Sequence, residues 1–160
     1  MKSMIRQAAL AAVLALGAGG ASAAATVSYA QPERFSDVPF APWERERVLA
    51  GLTEHFNKLA ARLPPGQDLS VEVLDLDLAG EIWPTRLSAQ DLRIMNGRAD
   101  WPRLSMRYSI TQGGQVVSSG EENLSDMGYM NRINRYFGGD ALRYEKQMLD
   151  DWFKTRIAAR

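Results

Sequence analysis

In the ten residues from Leu69 to Leu78 the apolar side chains occupy odd positions through Val73 and even positions from Leu74 onward. Alternation marks a strand with one buried face, because successive side chains of an extended chain point to opposite sides. A slip of one position sends half of these side chains into water unless an extra residue resets the parity. The run therefore requires either a β-bulge at Val73 and Leu74 or two short strands joined by a bend. Both solutions need a sheet with one apolar face, and the remaining chain must supply its other strands and its cover.

Further strands are legible on either side. Ala25 to Tyr29 alternates apolar and polar, and Leu104, Met106, Tyr108 and Ile110 do so more strictly. Gly113-Gly114 then marks a tight turn, with Gln115 to Leu124 as the returning strand. Asp91 to Met95 suits a short strand, whereas Trp83-Pro84 suggests loop. For the cover, Val48, Leu49, Leu52, Phe56, Leu59, Ala60 and Leu63 form one stripe of a helix expected from Glu44 to Leu63, about 30 Å long and halted by Pro64-Pro65-Gly66. Asp126 is placed to cap a short helix through about Phe137, with Met130, Ile133 and Phe137 inward and Gly138-Gly139 as its stop. Asp140 caps a final helix that buries Leu142, Met148, Leu149, Trp152, Phe153 and Ile157. The order predicts an α+β two-layer sandwich, a mainly antiparallel sheet covered on one face by a long N-terminal helix and a C-terminal helix.

The N-terminus carries an export signature: Lys2 and Arg6, an apolar stretch from Ala8 to Ala18, then Ala21-Ser22-Ala23. The stretch is shorter than the roughly 20 apolar residues that span a bilayer. Residues 1–23 are read as a signal peptide cleaved after Ala23, and residues 24–160 as one domain directed to the periplasm or the cell exterior. With no cysteine in the chain there is no lipid attachment point, disulfide frame or thiolate site, so a soluble product without a membrane anchor is expected. Loss of Lys2 and Arg6 leaves 17 basic against 19 acidic side chains. That near-balanced, interspersed charge provides no basic field for nucleic acid or an anionic membrane.

No catalytic or cofactor motif is present. His55, the sole histidine, cannot form a two-histidine metal site and reads as a surface or boundary residue. Asp75 and Asp77 share a strand face about 6.6 Å apart, and Glu121, with Glu122 and Asp126, is available to join them. Converging carboxylates can hold a divalent cation or divide acid and base duties, but the spaced acidic loop of a calcium site is missing. Neither a metal nor a cofactor is expected. Trp43, Trp83 and Trp101 stand beside prolines in loops, where their rings either form a binding surface with Arg103 and Arg98 or plug the ends of the core. The arginine and tyrosine run from Gly128 to Tyr136 is explained by an amphipathic helix.

Several phrases in combination resemble one family. They are Leu63-Pro64-Pro65-Gly66-Gln67, Asp75-Leu76-Asp77-Leu78-Ala79-Gly80, Ala99-Asp100-Trp101-Pro102-Arg103, Ser119-Gly120-Glu121-Glu122, Leu124-Ser125-Asp126-Met127, Tyr144-Glu145-Lys146 and Leu149-Asp150-Asp151-Trp152-Phe153. Together they resemble the bacterial exported family known as domain of unknown function 3016. The resemblance implies export and a single domain, and brings no catalytic residues with it. The expectation is a non-enzymatic module that binds an envelope protein or component through an open sheet edge or the tryptophan loops, with a metal-assisted hydrolase built on Asp75, Asp77 and Glu121 as the alternative.

Overall fold

The computed structural model describes residues 25–83 and 92–158. The expected signal peptide and Pro84 lie outside the described residues. The strands are β1 Ala25–Tyr29, β2 Gln67–Asp77, β3 Glu81–Trp83, β4 Leu92–Ile94, β5 Arg103–Gln112 and β6 Gln115–Ser125, and the helices are α1 Pro42–Ala60 and α2 Arg143–Trp152. The fold is mixed α+β. One sheet has the order β1-β2-β5-β6, and β3 and β4 pair separately as a hairpin. Antiparallel pairing dominates, with β1 and β2 as the parallel pair. Helix α1 is the crossover that a parallel connection needs.

The parity slip is resolved by a bulge rather than a bend. Val73 lies opposite Met106 and Asp75 opposite Ser105, so Leu74 is the extra residue. Leu69, Val71, Val73 and Leu76 consequently share a buried face with their partners Ile110, Tyr108, Met106 and Leu104. Each such burial contributes about 1.5–3 kcal/mol relative to exposure. At the hairpin end Gly113 and Gly114 have φ of +58° and +80°, the two left-handed residues of a type I′ turn, which joins β5 to β6 as expected. The other face is polar except for Val116, opposite Thr111 at the turn end. Thr26, Ser70, Ser109 and Ser119 form one cross-strand row, and Glu72, Arg107 and Glu121 form the next.

The first helix is shorter than the long one expected, 19 residues, and its limits shift. Pro42 stands in its first turn, where a missing N–H is harmless. It ends at Ala60 because Arg62 and Leu63 donate to the carbonyls of Leu59 and Ala60, three residues back, in a tightened final turn. The Tyr29 hydroxyl reaches the Leu49 carbonyl at 2.8 Å and Thr53 Oγ1 at 2.9 Å, tying β1 to α1. Leu52, Phe56 and Leu59 of α1 and Leu149 and Trp152 of α2 enter one core cluster with the apolar sheet face.

Three further expectations are corrected. Residues 126–142 form turns and bends instead of a short helix. Gly128, Asn131, Asn134 and Gly138 are poor helix formers, and partners on α2 hold the chain in another conformation. Met130, Ile133 and Phe137 therefore face outward. The final helix also stops being regular at Trp152, where Phe153–Ile157 forms a π-helical turn closed by Ala158 N–H donating to Phe153 O at 2.9 Å. Trp83 ends a strand rather than lying in a loop. Among the described residues no helix is long and apolar enough to cross a membrane.

Candidate functional site

The three candidate carboxylates do not converge, since Asp75 and Asp77 share β2 while Glu121 lies across the sheet. Asp75 accepts from the Ser36 N–H at 2.7 Å and the Ser36 hydroxyl at 2.6 Å. Asp77 faces Arg103 Nε at 3.0 Å. Burial raises its pKa, Arg103 opposes that rise, and Asp37 and Asp75 add to it. Glu121 lies two strands away on β6 and pairs with Arg107, which also reaches Glu72 at 3.2 Å. Glu122 points to the core side of β6, 3.7 Å from Arg156, and Asp126 pairs with Arg132. No cleft unites the three. Among the described residues no group of three or more histidines and carboxylates is arranged to hold a metal ion.

The tryptophans differ in exposure. Trp101 is half-buried and packs against Ala79, Tyr129 and Tyr144, while the Arg103 guanidinium lies 5.3 Å over its ring. Trp83 is 59 % exposed on the β3–β4 hairpin, across from exposed Leu92. The opposite side of that hairpin anchors it: Arg93 makes a two-pronged pair with Asp37 at 2.8 and 3.1 Å and donates to the Gly80 carbonyl at 3.0 Å. Trp43, half-exposed, carries Arg47 over its ring at 5.1 Å. Asp100 shapes the loop before Trp101. Burial pushes its carboxyl up, but backbone N–H groups from Asn96 at 2.6 Å and Arg98 at 2.8 Å hold it below its usual range.

The most unusual surface belongs to residues 126–142. The Gln147 side chain, 2 % exposed, accepts from the Arg135 N–H at 2.9 Å and donates to the Ile133 carbonyl at 3.2 Å. Arg132 bridges Asp126 and Asp151, each at 2.5 Å, and Arg135 reaches Asp151 at 2.8 Å. Arg143 closes the far end on the Gly138 carbonyl. Tyr129 is buried edge-on to Tyr144 with ring centroids 4.7 Å apart. The backbone is thus pinned, yet Ile133 is 92 % and Phe137 86 % exposed. The cluster of Ala79, Tyr129, Tyr144, Met95 and Trp101 joins this segment to the base of the Trp83 hairpin. At that joint buried Glu145 accepts from the Ala79 N–H at 2.8 Å, and burial raises its carboxyl pKa.

His55 is buried, not at the surface or boundary as expected. It continues the apolar stripe of α1, one position before Phe56, and faces α2. Its Nε2 lies 3.2 Å from Asp150 Oδ1 without the alignment of a hydrogen bond. Burial lowers the His55 pKa, Asp150 pulls it back, and Lys146 and Arg62 lower it further. Tyr136 donates to Asp150 Oδ2 at 2.7 Å and packs edge-on to the imidazole. Burial first, and the carboxylate second, raise the phenol pKa. Nothing local in the sequence marks these residues, since Gln147 and Asp150 share a side of the α2 pattern with Arg143, Lys146 and Lys154 and read as solvent-facing.

The family model described as Protein of unknown function (DUF3016) matches residues 23–155. No curated protein and no solved structure matches the chain.

Proposed function

The chain belongs to the DUF3016 family, and from that premise we propose that it is an exported, non-enzymatic binding module for another protein or component of the cell envelope. Its signal peptide is residues 1–23, its compartment is the periplasm, and its mature chain is a single two-layer domain over residues 24–160. The family match, beginning at residue 23, supports that domain limit. The docking surface is the outward side of residues 126–142 together with the Trp83 hairpin.

The observation that carries this reading is the contrast at Ile133. Its side chain is almost fully in water while its carbonyl is held by buried Gln147. An apolar group fixed in an exposed position binds at lower entropic cost than one on a floppy loop. Exposed aromatic and aliphatic anchors such as Phe137 and Trp83 are the residue types that dominate interface energetics. A hydrolytic role for Asp75, Asp77 and Glu121 gains no support, since each has its own hydroxyl or cationic partner.

Crosslinking in the native periplasm tests the proposal. Wild type should recover one repeated partner, which is lost with Ile133→Glu or Phe137→Glu and weakened with Trp83→Ala. Recovery of the same partner by all four proteins would reject this surface. Trp101→Ala is a poor probe, because that ring also packs against Tyr129 and Tyr144.

A further inference from the structure

A groove of about 380 Å³ opens between the end of α1, the turn end of β5 and β6, and the π-helical turn. That volume falls within the roughly 300–1,000 Å³ of small-molecule sites. Its apolar walls include Leu63, Ile110, Phe153 and Ile157, the first three of them buried side chains of the main core. Among the described residues lining the groove, Arg62 is the one charged residue and there is no carboxylate. The Arg62 side chain is 58 % exposed, and its contact with Asp150 is long, 3.9 Å, to an oxygen that His55 approaches more closely. Phe153 and Ile157 are the first and last residues of the π-helical turn. Single π-turns are rare and occur frequently at functional sites.

We propose that this groove binds a monomeric amphiphile with one anionic head and a linear alkyl chain, of the fatty-acid carboxylate type. The chain lies against Leu63, Ile110, Phe153 and Ile157, and the guanidinium of Arg62 takes the carboxylate. Arginine suits this head group because its planar donors match two carboxylate oxygens at once. A free monomer fits better than a bilayer surface because the apolar walls are recessed. This site is separate from the docking surface proposed above and stands independently of it.

Titrating the isotope-labelled protein with decanoate, below its micelle-forming concentration, tests the proposal by amide shifts in the nuclear magnetic resonance spectrum. Saturable shifts should cluster at residues 62–67, 110–118 and 153–158. Arg62→Gln should weaken binding about tenfold, as expected for loss of a charged hydrogen bond. Decanol should bind the wild type correspondingly weakly, and Ala158→Trp, which fills the groove from an exposed position, should abolish the shifts. Absent or scattered shifts would overturn the site, as would shifts undiminished by Ala158→Trp. Equal affinity for decyltrimethylammonium, or for Arg62→Gln, would overturn the anionic head. Sedimentation with phosphatidylglycerol vesicles that decanoate does not compete away would replace the monomer with a membrane surface. Unchanged melting temperatures of both variants separate loss of binding from loss of fold.

Discussion

The Tyr136 hydroxyl donates a 2.7 Å hydrogen bond to the Asp150 carboxylate, joining an irregular segment to a buried position on α2. Tyr136→Phe removes that bond and leaves a carboxylate oxygen without its donor. The variant should lose about 1–3 kcal/mol in urea unfolding. Protease cleavage between residues 131 and 138 should accelerate, because the segment opens locally before the molecule unfolds.

His55, facing Asp150, gives the fold a pH response that burial drives and Asp150 opposes. Burial holds the folded His55 pKa below its ordinary 6.5, so the unfolded chain takes up the proton first as pH falls. The stability contributed by neutral His55 is complete above pH 6.5 and is lost as pH drops toward the folded value. Melting temperature should therefore fall below about pH 6.5 more steeply in wild type than in His55→Gln.

Gln147 holds backbone groups on both sides of Asn134. Gln147→Leu keeps the volume but leaves the Arg135 N–H and Ile133 carbonyl without this partner, at a cost of about 1–3 kcal/mol. Hydrogen exchange should become faster at Arg135 in particular. Unchanged exchange there would show that the segment is held by its ion pairs alone.

Deletions in β2 offer a direct test of the bulge. Without Leu74, Val73 still faces Met106, Asp75 faces Ser105 and Leu76 faces Leu104, so the shortened chain should retain cooperative unfolding. Deletion of Ser70 instead brings an acidic side chain, Asp68 if the bulge is kept or Glu72 if it is lost, to the inward face, and that chain should melt at a much lower temperature. Circular dichroism during thermal melting distinguishes the two.

Edge strand β6 has a charge aimed inward. Glu122 lies opposite the buried Met106, near Arg156. Inward charges on edge strands discourage pairing with other chains. Glu122→Val should increase light scattering at high protein concentration, with little loss of melting temperature.

The legible features of the fold were those set by local periodicity. Alternation located β1, β2 and β5, the turn glycines implied β6, and the parity slip pointed to Val73 and Leu74. The glycine pair identified the hairpin turn. What escaped depended on distant partners. Met130, Ile133 and Phe137 have helical spacing, but Gln147, Asp150 and Asp151 hold their segment in another shape. His55 reads as a boundary residue until α2 brings Asp150 over it. Carboxylates that share a strand face suggest a site, yet cross-strand neighbours such as Arg103 and Arg107 decide what they do. The π-helical turn has no local sign in Phe153–Ile157.

The hydroxyl and charge rows on the uncovered sheet face give the molecule a front and a back. Serine, threonine and balanced arginine–glutamate rows remain hydrated at little cost and offer another surface few apolar contacts. Most of the exposed rings and aliphatic groups stand on loops and on the small hairpin instead, apart from Trp43 on α1 and Val116 and Val117 at the turn end of β6. With a partner on the proposed loop surface, the broad sheet is the side left facing water, where a label or affinity tag can be placed without blocking it.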